Sequence, residues 1–239
     1  MAHCSAQWTG SARMGTADPV LVVAADRREF RAWLKNDVEL LRWPVDFAAR
    51  SGQWLLVANG AGPARAAEAV DAALAKGSVS AVVSAGYCGA LDRSLSVADV
   101  VVATEVNGTR VRAPMSAQKY TAGPIVSVDR VVQTVEEKAR LRKNGAIAVE
   151  MEAAGVAERA AKLDLPFFCV RVVTDRADET LSIDFNAARD RSGRIRTSGV
   201  IRGAMKRPWV GIPELLILAR RSRLASQALG DFLANCRIQ

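Results

Sequence analysis

Histidine is nearly absent from this chain of 239 residues, since its single copy is His3. Ser-His-Asp and Cys-His nucleophiles, and most catalytic zinc sites, need a histidine inside the folded domain. The sequence therefore argues against these mechanisms, and carboxylate side chains remain as the candidates for acid-base catalysis.

Cysteine is also sparse, and its four copies form no Cys-x-x-Cys pair; they are Cys4, Cys88, Cys169 and Cys236. Such scattered cysteines argue against a zinc site and indicate free thiols in a reducing compartment. We therefore expect a cytoplasmic protein with no metal site.

The chain lacks any apolar run of about 18 residues, the length expected of a helix that crosses a membrane. Residues 1–17 are small and polar, with no apolar stretch that could act as a signal peptide. We interpret them as a disordered extension. We predict a single domain over residues 18–239, because this length and a hydrophobic content of 50% suffice for one core.

Aromatic residues make up only 5% of the chain, and none interrupts the basic run at residues 189–207. The net charge is +8, and much of it lies in this run. A solvated loop, an anionic substrate, a membrane surface and a nucleic acid are all open readings of the run. Nucleic acid is the weakest of them, because no aromatic residue is available to stack on bases, and we expect no nucleic-acid partner.

What the chain does contain is a regular alternation of continuous apolar segments with helix-forming segments. This pattern predicts an α/β fold with a central sheet covered by helices on both faces. Functional side chains in such a sheet gather at the carboxyl ends of the strands. A helix is predicted over residues 27–34, and strands are predicted at residues 19–25, 53–60, 79–86, 97–106, 123–129, 146–151 and 166–175.

The last segment of the chain is predicted to form a helix that begins near Pro213, because its apolar residues recur at helical spacing. The simplest reading is a terminal helix that faces the core. The alternative begins upstream, at "KRPWVGIPELLILARR", where a tryptophan and an apolar patch lie between basic clusters. That arrangement is typical of a contact with a membrane surface.

Acidic residues stand where two apolar strands end: Glu150 and Glu152 in "AVEME", and Asp175 in "FFCVRVVTD". Burial raises the pKa of a carboxyl group, so a protonated Asp175 could donate to the ring nitrogen of a departing purine. An ionised Glu152 would accept hydrogen bonds from sugar hydroxyls. The alternative is structural, with Glu152 and Asp175 capping the turns that follow them.

The segment "GAIAVEMEAAGVAERAAKLDLPFFCVRVVTDRAD" resembles the nucleoside phosphorylase and nucleosidase superfamily, especially the 5′-methylthioadenosine/S-adenosylhomocysteine nucleosidases. Those enzymes carry a Val-Glu-Met-Glu junction and, one helix later, Arg-x-x-(Ser/Thr)-Asp. "SAGYCGALD" and "ANGAGPARAAEAV" are similar to glycine-rich segments of the family. The resemblance implies a three-layer α/β fold of the phosphorylase/hydrolase type, with a central mixed sheet flanked by helices.

This resemblance also implies roles for individual residues. Asp175 is implied to protonate the purine, with Thr174 beside it. Met151 and Glu152 are implied to contact the ribose, with Glu152 on its hydroxyls. Glu29 stands at the family's spacing in the first loop and is implied as the base for an attacking water, although the Gly and Met of that loop are absent.

Further positions complete the implied site. Cys88 and Gly89 fall in the glycine-rich loop that lines the substrate pocket of the family. Val132 lies where the methylthioadenosine nucleosidases hold adenine with a Phe-Ile pair, so aromatic stacking is lost there. Arg27 and Arg28 lie in the loop where phosphate-using relatives keep an arginine. They could bind the phosphate that phosphorolysis needs and hydrolysis does not, or they could face water.

The tail ending in "KRPWVGIPELLILARRS" is similar to the hopanoid-associated phosphorylases. That likeness implies an adenine nucleoside with a bulky apolar 5′ group, such as an adenosyl-hopane, and a contact with a membrane. We expect an enzyme that releases adenine by phosphorolysis, with phosphate as co-substrate and no cofactor. Hydrolysis by a methylthioadenosine-type nucleosidase is the alternative, and a nucleoside-binding protein is the alternative without catalysis. We also expect a homo-oligomer.

Overall fold

The computed structural model describes residues 18–35, 37–190 and 195–238. Two short 3-10 helices follow the first strand, at Arg27–Phe30 and Trp33–Lys35. The α-helices are α1 (Pro63–Leu74), α2 (Val135–Arg142), α3 (Ala153–Lys162), α4 (Thr197–Met205) and α5 (Pro208–Ala234). The strands are β1 (Val20–Ala24), β2 (Glu39–Leu40), β3 (Phe47–Ser51), β4 (Trp54–Ala58), β5 (Ala81–Ala90), β6 (Val100–Val106), β7 (Thr109–Arg110), β8 (Met115–Ser116), β9 (Thr121–Ser127), β10 (Ala148–Glu150), β11 (Phe167–Asp175) and β12 (Cys236–Arg237).

A mixed sheet forms the centre of the protein, with strand order β10-β9-β6-β11-β5-β1-β4-β3-β2. Strand β10 pairs in parallel with β9 and antiparallel with β5, so β5, β11, β6, β9 and β10 close into a ring. Strands β1, β5 and β11 run parallel to one another, and their carboxyl ends therefore lie at the same edge. The predicted fold class, a central mixed sheet flanked by helices, is confirmed.

Side chains alternate between the two faces of the sheet along each strand, and each face packs against a layer of helices. In β1, Leu21 and Val23 pack into the core on the side of α1 and α3, whereas Val20 and Val22 pack into the core on the side of α5. Helices α1 and α3 approach closely, because a Cβ on Gly155 would lie 1.9 Å from the carbonyl oxygen of Pro63. The sheet is thus apolar on both faces, as the continuous apolar strands predict.

Two of the predicted boundaries are wrong. Residues 27–34 form separate 3-10 turns instead of one α-helix. The third predicted strand does not end at Gly86, because Tyr87–Ala90 continue β5 and pair with β11 and β10. Tyr87–Ala90 join the sheet because strands on both sides offer hydrogen-bond partners for their backbone groups.

The end of the chain also differs from its prediction. Helix α5 begins at Pro208, and Pro213 lies inside it. Pro208 suits the first turn of a helix because it has no N–H group to leave unsatisfied. Part of the basic run at residues 189–207 is helical as well, since α4 begins at Thr197.

The disordered extension predicted for residues 1–17 lies outside the described residues. Within the described ranges, no helix has both the length and the apolar character needed to cross a membrane.

Candidate functional site

A cavity of about 920 Å³ opens where β1, β5 and β11 end, beside β10. Ligand sites of α/β proteins commonly lie at this edge of the sheet, and the volume is at the upper end of the usual range for small-molecule pockets. The cavity is lined by all ten residues that the sequence analysis assigned to the site: Arg27, Arg28, Glu29, Cys88, Gly89, Val132, Met151, Glu152, Thr174 and Asp175. The sheet topology thus brings together residues that are nearly 150 positions apart in sequence.

Glu29 is a buried acid at the bottom of the first turn. Asp26 caps this turn by accepting a hydrogen bond from the N–H of Arg28 at 2.8 Å. Glu29 reaches back, and its Oε2 accepts a hydrogen bond from the N–H of Ala25 at 2.9 Å. The capping box therefore points the Glu29 carboxylate into the protein, where it is 5% exposed.

Arg171, in the middle of β11, holds several acids together. Its guanidinium is fully buried, and Nη2 donates to a carboxylate oxygen of Glu150 and to Oγ of Ser84, the latter at 2.6 Å. Nη1 lies 3.6 Å from Oε2 of Glu152. A buried guanidinium requires such acidic partners, because an unpaired charge is very costly away from water.

Gly86 of β5 provides the space between Arg171 and Glu29. A Cβ at this position would lie 2.6 Å from Nη1 of Arg171 and 3.1 Å from Oε2 of Glu29. Its φ of +153° is also one that residues with side chains rarely adopt. Glycine therefore lets the Glu29 carboxylate, from the first 3-10 turn, and the Arg171 guanidinium, from β11, approach the same point.

Glu150 and Glu152 have different structural roles, although they are separated by one residue. Oε2 of Glu150 accepts hydrogen bonds from the N–H groups of Glu152 and Ala153, both at 2.9 Å, and so serves the N-terminus of α3. Glu152 makes no capping bond in its own helix. Its Oε1 instead accepts from the N–H of Gly62, at the start of α1, at 3.3 Å. The capping alternative thus applies to Glu150 and not to Glu152.

Burial changes the acidity of the two cavity acids. It raises the pKa of Glu29 to about 8; the nearby Glu152 carboxylate adds to this effect and Arg171 opposes it. Burial likewise raises the pKa of Glu152 to about 7, against the charge of Arg171 and with that of Glu150. Near neutral pH, this cluster therefore holds a proton that can be exchanged with a bound molecule.

Replacement of Glu29 by Gln should change how stability depends on pH. The folded pKa, about 8, lies above the ordinary value of 4.5, so folded wild-type protein holds a proton that the unfolded chain releases. Wild-type stability should therefore fall as pH rises between these values, by about 1.4 kcal/mol per pH unit. Gln cannot ionise, so the difference in Tm between variant and wild type should grow in favour of the variant from pH 5 to pH 9.

The matched control is Glu158→Gln, the same change at an exposed position of α3, whose partner is Lys162. This control should follow the wild-type curve in the same scanning calorimetry series. Parallel curves for Glu29→Gln and wild type would contradict a raised pKa at Glu29.

Asp175 lies at the end of β11 and is paired with a lysine. Nζ of Lys138, on α2, donates to Oδ2 of Asp175 at 2.6 Å, and also to the carbonyl oxygens of Arg176 at 2.6 Å and Glu179 at 3.0 Å. Burial raises the pKa of Asp175, and the Lys138 charge opposes that rise. Asp175 is thus a buried acid with a cationic neighbour, and it does not cap the turn that follows.

Register between β5 and β11 places the neighbours of Asp175. Gly89 is its Cα partner, and a Cβ on Gly89 would lie 2.9 Å from Oδ2 of Asp175. Oγ1 of Thr174 lies 3.1 Å from Oδ1 of Asp175 and 3.3 Å from the carbonyl oxygen of Cys88. Glycine at position 89 keeps one side of the acid open to the cavity.

Val132 is buried in the cavity wall and has no aromatic ring. An aromatic side chain reaches the cavity from another segment of the chain. The side chain of Asn186 holds the backbone of Val131 through two hydrogen bonds of 2.9 Å, one to its N–H and one from its amide to the carbonyl oxygen. This bridge brings the segment that contains Phe185 to the cavity, and Phe185 lines it. The cavity therefore has an aromatic wall that position 132 does not provide.

Arg27 and Arg28 line the rim of the cavity and are exposed. Arg28 forms a bidentate pair with Asp26 through two contacts of 2.8 Å. Three further arginines, Arg31, Arg130 and Arg223, also line the cavity. These exposed arginines are thus at the rim, whereas Glu29, Glu152 and Asp175 are buried in the interior near the buried cations Arg171 and Lys138.

The other end of the cavity is apolar. It is formed by the segment before α4 and by the facing sides of α4 and α5, with the side chains of Leu181, Phe185, Ile195, Val200, Ile201, Leu215, Leu216 and Leu218. Polar groups for a small hydrophilic molecule and a wall for an apolar one therefore share one cavity.

Sequence analysis missed three residues of this site: Lys138, Arg171 and Phe185. Arg171 had a signal, because an arginine inside the apolar strand "FFCVRVVTD" requires a buried acidic partner. Lys138 had none, because it lies in the polar helix sequence "VEEKARLR", which is typical of a solvated helix. Phe185 reaches the cavity only through long-range contacts.

Comparison with known proteins agrees with the fold. A family model described as the phosphorylase superfamily matches residues 19–119 and 115–206. A 5′-methylthioadenosine/S-adenosylhomocysteine nucleosidase of Staphylococcus aureus is 28% identical over 166 residues, which cover 56% of this chain and 73% of that protein.

Solved structures share the fold. A 5′-methylthioadenosine/S-adenosyl homocysteine nucleosidase of Helicobacter pylori superposes with a TM-score of 0.65 at 17% identity, covering 92% of this chain and 97% of that one. A futalosine hydrolase of the same organism gives a TM-score of 0.64 at 17% identity, with the same coverage of both chains. The family model spans most of the chain and includes every residue assigned to the site, and the protein belongs to the phosphorylase superfamily.

Proposed function

We propose that this protein is an enzyme that cleaves the N-glycosidic bond of an adenine nucleoside with an apolar 5′ substituent. The observation that carries the proposal is the placement of three buried acids, Glu29, Glu152 and Asp175, in one cavity with an apolar end. The names of the nucleosidases and of the futalosine hydrolase to which the chain is similar support the reaction class.

Asp175 is the general acid in this proposal. A departing purine needs a proton on a ring nitrogen, and burial keeps the pKa of Asp175 above its ordinary value. Lys138 fixes the carboxyl group and limits the rise of its pKa. Phe185 lines the cavity where the segment held to Val131 meets the apolar end, and it is the aromatic side chain that we propose stacks on the purine.

Glu152 and Met151 receive the ribose. Hydrogen bonds from the sugar hydroxyls to the Glu152 carboxylate strengthen as positive charge develops on the ring, so they favour the transition state over the bound substrate. The pKa of Glu152, about 7, allows this group to be ionised in part of the molecules at neutral pH. Met151 supplies an apolar surface under the sugar.

Water is the nucleophile that the geometry favours, with Glu29 as its base. A base works best when its pKa is near the working pH, and that of Glu29 is about 8. A phosphate anion at the same place would face Glu29 and Glu152, while Arg171 is already engaged with Glu150. Phosphorolysis is the second candidate, and the rim arginines Arg27 and Arg28 favour it.

The apolar end of the cavity supports a bulky hydrophobic 5′ group, and an adenosyl-hopane remains our proposal for the natural substrate. A cavity of about 920 Å³ is larger than a compact nucleoside requires. Each additional buried methylene contributes about 0.8 kcal/mol, or roughly a fourfold gain in kcat/KM, until the space is filled.

The test is adenine release from 5′-alkylthioadenosines of increasing chain length, each with and without phosphate. We expect release without phosphate, a rise in kcat/KM with chain length, and loss of activity in Glu29→Gln. Arg27→Ala should retain activity and serves as the control at the rim.

Release that requires phosphate, yields a ribose-1-phosphate product and fails in Arg27→Ala would establish phosphorolysis instead. Tight nucleoside binding in calorimetry with no release from any substrate would indicate a binding protein.

A further inference from the structure

Helices α4 and α5 are separated by two residues and pack against each other as a hairpin. A Cβ on Gly211 would lie 2.5 Å from the carbonyl oxygen of Ala204, so the two helices pack closely where they meet. The second half of α5 is buried in the core through Ala225, Leu229 and Phe232. Its first half projects from the core and is largely exposed.

Large apolar side chains cover the tip of this hairpin. Trp209 is 91% exposed, and Ile212 and Leu216 follow it at spacings of three and four residues, on one side of α5. We name this surface the hairpin tip; its residues are Ile201, Met205, Trp209, Val210, Ile212 and Leu216. A contiguous exposed apolar patch of this kind marks a site of interaction.

Basic residues surround the hairpin tip almost without acids. Residues 197–230 contain six Lys or Arg residues and a single acid, Glu214, which accepts hydrogen bonds from Ser182. Within the described part of the chain, ion pairs engage none of the following five: Arg202, Lys206, Arg207, Arg220 and Arg223. Positive charge around exposed tryptophan and aliphatic side chains is complementary to an anionic lipid surface.

The hairpin tip is continuous with the cavity. Ile201 and Leu216 belong to the tip and also line the apolar end of the cavity, and Arg223 lies at its mouth. An apolar group could therefore pass from a bilayer into the cavity without crossing water.

We infer that the hairpin tip docks this protein on the surface of an anionic lipid bilayer, with Trp209 and Ile212 inserted and the apolar end of the cavity toward the lipid. A second copy of the chain fits this surface less well. A two-fold contact through the tip would place Lys206 and Arg207 near their own copies, and like charges would repel. The inference rests on the proposed function only for the direction in which substrate enters.

The test is co-sedimentation of the full chain with vesicles of phosphatidylcholine alone or mixed with phosphatidylglycerol. We expect binding to the mixed vesicles and at least tenfold weaker binding to neutral ones. The double variant Trp209→Asp/Ile212→Asp should lose at least tenfold in binding to mixed vesicles, with an unchanged Tm. The matched control is Leu40→Asp, an equally apolar and exposed position on β2, which should bind as wild type does.

Co-sedimentation measures vesicle binding and needs no substrate. Its outcome is therefore independent of whether the protein releases adenine. Absence of binding, or binding that the double variant retains, would overturn the inference; the latter would reflect only the net charge of +8. A wild-type dimer that becomes monomeric in the double variant, without vesicle binding, would instead identify the tip as an interface between copies and would also overturn it.

Discussion

Asp175→Asn is expected to lower kcat by about 100- to 10,000-fold, because an amide keeps the shape of the side chain but cannot deliver a proton to the purine. The amide oxygen can still accept the hydrogen bond from Lys138, which also retains the carbonyl oxygens of Arg176 and Glu179. The loss should therefore appear in protein that circular dichroism shows to be folded. The measurement is single-turnover adenine release.

Two control variants distinguish the effect of the Asp175 carboxyl group from the effects of nearby residues. Asp178→Asn makes the same change three residues away, at an exposed pair with Arg176, and should leave kcat unchanged. Lys138→Met keeps the acid but removes the charge that lowers its pKa, so the alkaline limb of the pH profile should move to higher pH. Wild-type turnover in Asp175→Asn would remove the residue from catalysis.

Arg171→Met is expected to lower the free energy of unfolding by about 3–5 kcal/mol, the usual cost of removing one partner from a buried ion pair. Glu150 would lose its charged hydrogen-bond partner, and Glu152 would lose a cation 3.6 Å away. The acids would then be protonated or would admit water. Urea denaturation at pH 7 measures the change.

Arg159→Met is the matched control, because Arg159 also pairs with a carboxylate, Asp71, but at the surface. Exposed pairs contribute at most about 1 kcal/mol, so this variant should remain close to wild type. Adding Glu150→Gln to Arg171→Met should recover part of the loss, since it removes the unpaired charge. Equal effects of the two arginine changes would contradict a structural role for the buried cluster.

The two arginine positions show why burial decides the outcome. Both side chains form carboxylate pairs, and only the surroundings differ: Arg171 is fully buried, whereas Arg159 is more than a third exposed. The same surroundings raise the pKa of Glu29 and Glu152. The stability of the fold and the acidity of Glu29 and Glu152 thus depend on one buried cluster, whereas Asp175 lies in a separate pair with Lys138. The pH dependence expected for Glu29→Gln reports on the same cluster.

The sequence by itself determined the fold class, the order of most strands and helices along the chain, and the acids at the strand ends. Strands β2, β3 and β7 of the main sheet were not predicted. Continuous apolar segments such as "VLVVA" are compatible with a strand buried on both faces, and Glu152 and Asp175 stand where such segments end. Patterns of this kind depend only on residues that are close together in the chain, so they can be recognised from the sequence.

Tertiary structure alone decided which groups surround those acids. Lys138 belongs to a polar helix, yet it is fully buried because α2 packs against the turn after β11, 37 residues later in the chain. Phe185 reaches the cavity because the neighbouring Asn186 forms hydrogen bonds with Val131, which lies 55 residues earlier in the chain than Asn186. The same long-range packing exposes Trp209 and buries Phe232 within one helix. Contacts between distant segments leave no local pattern, because their free energy comes from surfaces that meet only in the folded protein.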